Sequence, residues 1–417
     1  MKGIKYSNFN NNNYSYAHSV LQSLSCLDCI NIFLNYTNTF NLKNNQKFAL
    51  TNSLYDLFSD LYNGKEGNSE NIIFFFNNSY KYNASIIKSD KCLSPDPFYF
   101  LYFLLQFLHM ENNMPLNNNY NLQNLISQNL QNQKNDDYMY NLFKDFWIQT
   151  QNSMITNFFF NIERNVYKCF NCDVYFAYGM KLIFTIKKDI AEYYRNKLNP
   201  SKSGTNIDLD DCLKYYCGGC KKNCTFCGNH NIDKYNKFIT PAFVLIIAFE
   251  RDNHLYKGDV NFGINININD YVSKSRGNVN INWNYNLKAI ISYRQDGKYV
   301  ADCYLNNKKH WYRFINDEVR ILNDVNEIYK YEPQILIYEY NQQNNINNHY
   351  YSNNYNYRNT NYFEFDMNNQ NNMNNNNNNL NQINNNNNFD NNQFNQNLIN
   401  AKNKNANIFK NFFQNAN

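Results

Sequence analysis

Residues 15–24 read SYAHSVLQSL and begin a strong helical pattern. Apolar residues continue at the spacing of one helix face: Val20, Leu21, Leu24, Leu27, Ile30 and Phe33. This pattern predicts an amphipathic helix over residues 19–36. Cys26 and Cys29 have C-x-x-C spacing but fall inside the predicted helix, so we interpret them as core residues rather than as a redox pair.

Outward from this stretch, the first 340 residues divide into helices followed by strands. Similar apolar spacing predicts helices at 48–62 and 98–108. Runs rich in β-branched and aromatic residues predict strands at 243–249, 287–293, 299–304, 311–314 and 334–338. Helices first and strands last, with a cysteine-rich segment between them, predict an α+β domain.

The composition is typical of a globular protein with a sizeable core. The chain has 417 residues, of which 43% are apolar, enough for one large domain or two ordinary ones. The net charge is +5, and Lys and Arg are scattered among acids, so direct nucleic-acid binding is not expected. The first residues lack the apolar run of a signal peptide, and the apolar stretches are too short to span a bilayer. We therefore expect a soluble protein of the cytoplasm or nucleus.

The cysteines indicate a bound metal rather than disulfides. The chain has 11 of them, no secretory signal, and C-x-x-C pairs such as Cys169 with Cys172. Two such knuckles can present four thiolates to a zinc ion in tetrahedral geometry. A site of this kind is structural, because four thiolates leave no open coordination position for chemistry.

Two different pairs can complete this zinc site. They are Cys224 with Cys227 and Cys217 with Cys220. The distance to Pro241, and the distance from a possible helix at 209–213, favour Cys224 and Cys227. The alternatives are free cysteines, or an irregular second metal site that uses Cys217, Cys220 or His230.

The C-terminal segment 341–417 differs from the rest of the chain in composition. About half of its residues are Asn, with uninterrupted runs at 374–379 and 384–388. Such a segment buries too little apolar surface to offset the entropy lost on ordering, so we predict a disordered tail.

Taken together, these segments resemble the ubiquitin-specific protease, or ubiquitin carboxyl-terminal hydrolase, family. The family's opening box ends in S-V-L-Q-S-L, which residues 19–24 match. Its Q-D-A-x-E-F-L helix is matched by Asp96 and the apolar ridge that follows, although Pro95 and Tyr99 occupy the Gln and Glu positions.

Three later blocks extend the resemblance over nearly all of residues 1–340, in the family's order. Residues 239–251 are similar to the L-P-x-V-L-I-I-H-L-x-R-F pattern. Residues 297–299 and 311–319 parallel G-H-Y and W-Y-x-F-D-D-x-x-V, and 335–339 match the closing strand. The resemblance implies a papain-like cysteine-protease fold. Its parts would be a helical thumb over about 1–155, zinc-ribbon fingers over about 156–240 and a β-rich palm over about 241–340.

The resemblance also identifies three catalytic positions. Family members cut isopeptide bonds with a Cys at a helix N-terminus, activated by a His that an Asp or Asn orients. The nucleophile position falls on Ser15 and the base position on Lys298, whose reference pKa of about 10.4 keeps it protonated. The third position falls on Ile315, which has no polar side-chain atom, with Asn316 one step on.

Other polar residues do not replace this missing triad. Asn10 stands at the family's oxyanion position, but it begins a run of Asn. His18 lies three residues from Ser15 on one helix start, a poor arrangement for a catalytic dyad. We interpret His310 as a surface residue of a hairpin.

We therefore predict an inactive member that acts as a ubiquitin-binding or scaffold module. The resemblance places ubiquitin contacts at Asp96, Tyr99 and Tyr299, and makes ubiquitin or a ubiquitinated protein the expected partner. It leaves two alternatives open. One is an active deubiquitinase with a divergent site; the other is a structural interaction protein in an RNA-processing complex.

Overall fold

The computed structural model describes most of the chain up to residue 341. The described residues are 2–4, 14–39, 48–82, 95–113, 115, 133–202, 206–218, 220–222, 224, 227, 232–250, 260–273, 282–315 and 317–341. They belong to one structural unit, Met1–Asn341. The predicted tail, apart from Asn341 itself, lies outside the described residues.

Helices make up the first part of the described chain. They are α1 (Ser15–Ser25), α2 (Cys29–Thr39), α3 (Ala49–Tyr62), α4 (Glu70–Tyr82), α5 (Pro97–Asn112), α6 (Asp136–Thr150) and α7 (Met154–Phe159). The helices predicted at 48–62 and 98–108 are confirmed as α3 and α5.

The single helix predicted over 19–36 is wrong in one respect, because the chain turns at 26–28 and forms α1 and α2 instead. The carboxylate of Glu339 explains the break. It accepts hydrogen bonds from the backbone N–H groups of Asp28, at 3.3 Å, and Cys29, at 3.2 Å. A distant acid thus satisfies the start of a new helix, which local apolar spacing does not reveal. Cys26 and Cys29 are both buried.

The later part contains two larger sheets. The strands are β1 (Asn161–Cys169), β2 (Asp173–Lys181), β3 (Phe184–Lys187), β4 (Ile207–Asp208), β5 (Cys220–Lys222), β6 (Ile232–Thr240), β7 (Val244–Glu250), β8 (Val260–Asn261), β9 (Asn265–Asn267), β10 (Asn284–Tyr293), β11 (Tyr299–Leu305), β12 (His310–Ile315), β13 (Glu318–Leu322) and β14 (Glu332–Tyr340). Helices α8 (Lys188–Leu198) and α9 (Leu209–Gly218) lie between these strands in sequence. The five predicted strands are confirmed as β7, β10, β11, β12 and β14.

The two larger sheets differ in their strand order, and the second packs against α1. The first has the order β2-β1-β6-β5, and the second the order β13-β12-β11-β10-β14-β7-β3, with β9 beside β10. Residues 244–249 of β7 are all buried, as a continuous apolar run predicts for a central strand. Helix α1 packs on β11 and its neighbours, so its buried face and the second sheet share one core.

An ion pair inside the second sheet joins β11 to β12. The guanidinium of Arg313 donates to both oxygens of Asp302, at 2.7 and 2.6 Å. Both side chains are buried, and Arg313 also lies over the ring of Tyr331, 4.6 Å from its centroid. In the register of the two strands, this pair is next to the last pairing of the ladder, Ala301↔Phe314.

Among the described residues no single helix is long and apolar enough to cross a membrane. Helix α1 taken together with Cys29–Asn35 passes on length and composition alone, across a bend of 86°.

Candidate active site and metal cluster

The start of α1 meets the second sheet where β11 and β12 stop pairing. Their ladder runs from Leu305↔His310 to Ala301↔Phe314. The backbone N–H of Tyr299, beyond the end of this ladder, donates instead to the Ser15 hydroxyl oxygen at 3.1 Å. Ser15, the first residue of α1, thus lies beside the residue that follows Lys298.

The turn before β11 sets the position of Lys298. Gly297 has a φ of 81°, which a glycine adopts without the steric cost of a Cβ. The turn is closed by a hydrogen bond from Arg294 N–H to the carbonyl of Lys298, at 2.8 Å. Lys298 is exposed, and its backbone N–H donates to Asp296 Oδ1 at 3.3 Å.

The three predicted catalytic positions therefore lie at one end of the β11–β12 pair, but they form no nucleophile–base pair. Ser15 is only 1% exposed, and its oxygen accepts the Tyr299 N–H. Lys298 carries an ammonium group, which cannot take a proton from a hydroxyl. Ile315, one residue beyond Phe314, is half-buried and pairs with Glu318 of β13. Asn10 and Asn316 lie outside the described residues.

His18 is engaged elsewhere in the core. Its Nε2 lies 3.0 Å from the hydroxyl of Ser69, which precedes α4. Burial lowers the pKa of His18 to about 4, with a smaller opposing contribution from the charge of Asp317. A neutral imidazole is therefore expected at physiological pH, hydrogen-bonded to a serine other than Ser15.

The predicted ubiquitin contacts border the same end of the sheet. Asp96 caps α5, its Oδ1 accepting from Phe98 N–H at 2.7 Å, and burial raises the pKa of its carboxyl. Burial, and next the charge of Asp96, raise the pKa of Tyr299. Tyr299 also packs against Tyr293, with ring centroids 5.2 Å apart. Asp96 and Tyr299 are thus electrostatic neighbours.

Tyr99 lies on the first turn of α5, three residues after Asp96. Its ring packs edge-on against Phe98, with the two centroids 5.1 Å apart. Tyr16 of α1 makes a similar contact with Phe100 of α5, at 5.8 Å. Aromatic contacts therefore join α1 to α5, and Tyr299 of β11 to Tyr293 of β10.

A separate site lies at the far end of the first sheet, where four cysteine thiols meet. The thiols of Cys169, Cys172, Cys224 and Cys227 are all within 4.8 Å of one another. Cys169 ends β1 and pairs with Asp173, so the tight β1–β2 turn presents Cys172 back toward it. Asp173 has a φ of 64°, a turn conformation that Asp tolerates better than most residues.

The thiol geometry fits a tetrahedral zinc ion. Zinc–sulfur bonds of about 2.3 Å place the sulfurs of a tetrahedral site about 3.8 Å apart. The Cys169 and Cys227 sulfurs are 3.6 Å apart. Hydrogen bonding to Cys227, then burial, raise the pKa of Cys172 to about 12, so its thiolate is disfavoured when no cation is bound. Four adjacent thiolates would need a cation to balance their negative charges. Four thiolates would hold zinc for structure and leave no position for a reactant.

Of the rival pair, Cys217 is not part of this cluster of described thiols. Cys217 is buried on α9, where burial and the charge of Glu163 raise the pKa of its thiol to about 12. Cys220 begins β5, where its backbone pairs with Lys234. His230 lies outside the described residues. The prediction of a structural zinc site is confirmed to the extent that four close cysteines can bind the ion.

Two polar networks that stabilise these elements were not found from sequence. One joins Lys288, Asp28 and Glu339, in which the Lys288 ammonium lies 3.0 Å from Asp28 and 3.5 Å from Glu339. The other is the buried Asp302–Arg313 pair. The members of the first network are up to 311 residues apart, so no local motif marks it. The second joins neighbouring strands, and its pairing depends on the strand register.

Comparison with known proteins agrees with the fold. The family model for ubiquitin carboxyl-terminal hydrolase matches residues 6–338. A sequence search found no match among curated proteins.

Solved structures show the same fold at low sequence identity. The structure of the yeast SAGA DUB module with a mutant Sgf73 aligns with a TM-score of 0.54 and 15% identity, covering 82% of this chain and 69% of that one. The SAGA Ubp8/Sgf11/Sus1/Sgf73 DUB module bound to ubiquitin aldehyde aligns with a TM-score of 0.53 and 14% identity, covering 82% and 70%. A related module bound to monoubiquitin has a TM-score of 0.53, 15% identity and coverage of 82% and 69%.

Proposed function

The chain belongs to the ubiquitin carboxyl-terminal hydrolase family, and we propose that it is a catalytically inactive member that binds ubiquitin or a ubiquitinated protein. The strand ends where α1 meets β11 carry this proposal. They present Ser15, Lys298 and Ile315, and none of these supplies a thiolate or a proton acceptor.

The hydrogen bond at Ser15 supports an inactive site. A serine becomes a nucleophile when a neighbouring base removes its proton. Here the hydroxyl is buried and accepts a hydrogen bond from Tyr299 N–H. This contact stabilises the junction of α1 and β11 without activating the oxygen.

A binding role is supported by what remains around the strand ends. Asp96 and Tyr299 are neighbours there, and α5 adds Tyr99. Solved structures of the same fold include one bound to ubiquitin aldehyde and one bound to monoubiquitin. Those structures also contain Sgf11, Sus1 and Sgf73, which supports a scaffold role as a second form of the proposal.

Hydrolysis assays test the inactive site. The protein is incubated with a fluorogenic ubiquitin amide and with di-ubiquitin, beside its Ser15→Ala variant. We expect no turnover by either. Turnover by the natural chain that Ser15→Ala abolishes would overturn the proposal and favour a deubiquitinase with a divergent site.

A restored triad tests the three positions themselves. The variant carries Ser15→Cys, Lys298→His and Ile315→Asp together, with Ser15→Ala, Lys298→His and Ile315→Asp as its matched control. We expect measurable hydrolysis of the ubiquitin amide by the first variant and none by the control. Equal activities would contradict the assignment of these positions.

Calorimetry with monoubiquitin tests the binding role. Heat of binding at micromolar concentrations, reduced by Tyr299→Ala, is the expected result. Absence of heat at high micromolar concentration would leave only the scaffold form of the proposal.

A further inference from the structure

Lys298 is the one position of the three that carries a charge. Ser15 and Ile315 are neutral, so the three positions together have a formal charge of +1. The Lys298 side chain is exposed, and it makes no ion pair with any carboxylate in the part of the chain that the structure describes. An exposed ammonium without an ion pair, beside the predicted catalytic positions, can bind an anion.

The nearby acids are engaged by groups other than the Lys298 ammonium. Asp296 pairs with Arg294 at 3.1 Å, and Asp96 accepts the N–H of Phe98 at the start of α5. Asp317 acts on His18, where its charge raises the imidazole pKa against the effect of burial. Lys298 is therefore available to an incoming anion.

The reach of Lys298 covers the strand ends. Its Cα is two bonds from the Tyr299 nitrogen, and that nitrogen is 3.1 Å from Ser15 Oγ. A lysine carries its ammonium on a flexible four-carbon stem that extends about 6 Å from the Cα. The ammonium can thus meet a group that approaches the start of β11 from solvent.

We propose that Lys298 binds a C-terminal carboxylate, so that this site selects ubiquitin with a free C-terminus over ubiquitin joined through an amide. The inference rests on the proposed ubiquitin-binding function. A free terminus ends in a carboxylate, which pairs with an ammonium, whereas an amide or isopeptide linkage at the same atom is neutral. Ile315 adds no negative charge that would repel the carboxylate.

The test compares two forms of monoubiquitin by titration calorimetry. One has its natural C-terminal carboxylate, and the other has a C-terminal carboxamide, which differs only in charge and one donor. We expect the carboxylate form to bind about five- to tenfold more tightly, the range of a charge-assisted hydrogen bond partly open to solvent. The preference should shrink as salt concentration rises.

Two lysine variants test whether Lys298 causes the preference for the carboxylate form of ubiquitin. Lys298→Gln should bind both forms equally, with the affinity that the natural chain has for the carboxamide. Lys308→Gln is the matched control, because Lys308 is an exposed lysine in the turn at the opposite end of β11, and it should keep the preference.

Each outcome decides between the two ideas. Equal binding of both ubiquitin forms by the natural chain, or a preference that survives Lys298→Gln, would overturn the carboxylate assignment and leave ubiquitin binding intact. Absence of binding to both forms would overturn ubiquitin binding, and the carboxylate assignment with it.

Discussion

The cluster of four cysteines and the strand ends at Ser15 differ in how well they match the chemistry that the family resemblance predicts. At the cluster four thiols lie within 4.8 Å of one another, close enough for one zinc ion to bind all of them. At the strand ends the thiol position holds Ser15, and the neighbouring positions hold Lys298 and Ile315. The fold around both sites is the same as that of solved relatives at about 15% identity.

Folding energetics explains why these two sites differ. A structural zinc site contributes directly to the free energy of folding, since its ligands come together only in the folded chain. A nucleophile, its base and its orienting acid contribute little to that free energy. Their replacement leaves the sheet and α1 in place, as the Ser15–Tyr299 contact illustrates. Under the proposed function, the fold can therefore persist after the catalytic positions have been replaced.

The largest expected effect comes from the metal cluster. Cys224→Ser removes a buried ligand, so we expect zinc content to fall from about one equivalent to near zero and the first sheet to open locally. Elemental analysis measures the zinc, and hydrogen exchange of the β1, β2 and β6 amides measures the opening. Exchange in β10 and β14 should change little.

Cys217→Ser is the matched control for this experiment. Cys217 is a buried cysteine outside the cluster, so its variant should keep about one equivalent of zinc. Loss of zinc in Cys217→Ser with retention in Cys224→Ser would reverse the assignment of ligands.

A smaller effect, on the free energy of unfolding, is expected at the Asp302–Arg313 pair between β11 and β12. Arg313→Met leaves a buried carboxylate without its cation, and we expect a loss of about 3–5 kcal/mol in the free energy of unfolding. The double variant Arg313→Met with Asp302→Leu should recover most of this loss, because no buried charge then remains. Urea unfolding measures both; equal losses in the two variants would show that packing, not charge, holds this strand pair.

The third effect depends on pH and concerns the buried His109 of α5. Its Nδ1 lies 2.7 Å from the Ser153 hydroxyl, and burial lowers its pKa from 6.5 to about 4. Between these values the unfolded chain binds a proton that the folded chain does not, so stability is full above pH 6.5 and falls as the pH drops toward 4. The loss from this residue should be on the order of 3 kcal/mol across that window.

His109→Asn isolates this contribution, because an amide can reproduce the Nδ1 hydrogen bond but does not titrate. Unfolding free energies are compared at pH values above and below the window, for both proteins. The natural chain should lose more stability on acidification than His109→Asn. His310→Asn, at an exposed position, should titrate like the natural chain. An identical pH dependence in all three proteins would contradict the role of His109.

The smallest effect is expected at Ser15 itself. Ser15→Ala removes one hydrogen bond to Tyr299 N–H, and we expect a loss of about 1 kcal/mol in unfolding free energy with no change in hydrolysis. Thermal unfolding and the ubiquitin amide assay measure the two quantities. A loss of stability with unchanged activity would support a structural role for Ser15, whereas a loss of hydrolysis in Ser15→Ala would contradict it.

Several elements could be predicted from sequence because their signals are local. The helices α3 and α5 and the strands β7, β10, β11, β12 and β14 follow from apolar spacing and β-branched runs. The break between α1 and α2 could not, since it depends on Glu339, a residue about 310 positions away. The hydrogen-bond partners of His18 and His109 could not be predicted from sequence either, because Ser69 and Ser153 are 51 and 44 residues away.

By itself, the sequence determined the family resemblance and the order of helices and strands, since residue identity and spacing carry this information. It also predicted Ser15, Lys298 and Ile315 as the positions that correspond to the family's catalytic residues. The tertiary structure decided which cysteines meet and how Ser15 is held. It brought Cys224 and Cys227, rather than Cys217, to the β1–β2 turn. It also set the Ser15 hydroxyl against the Tyr299 N–H, 284 residues away. Contacts between distant segments depend on how the sheets close around the core, and no local pattern encodes them.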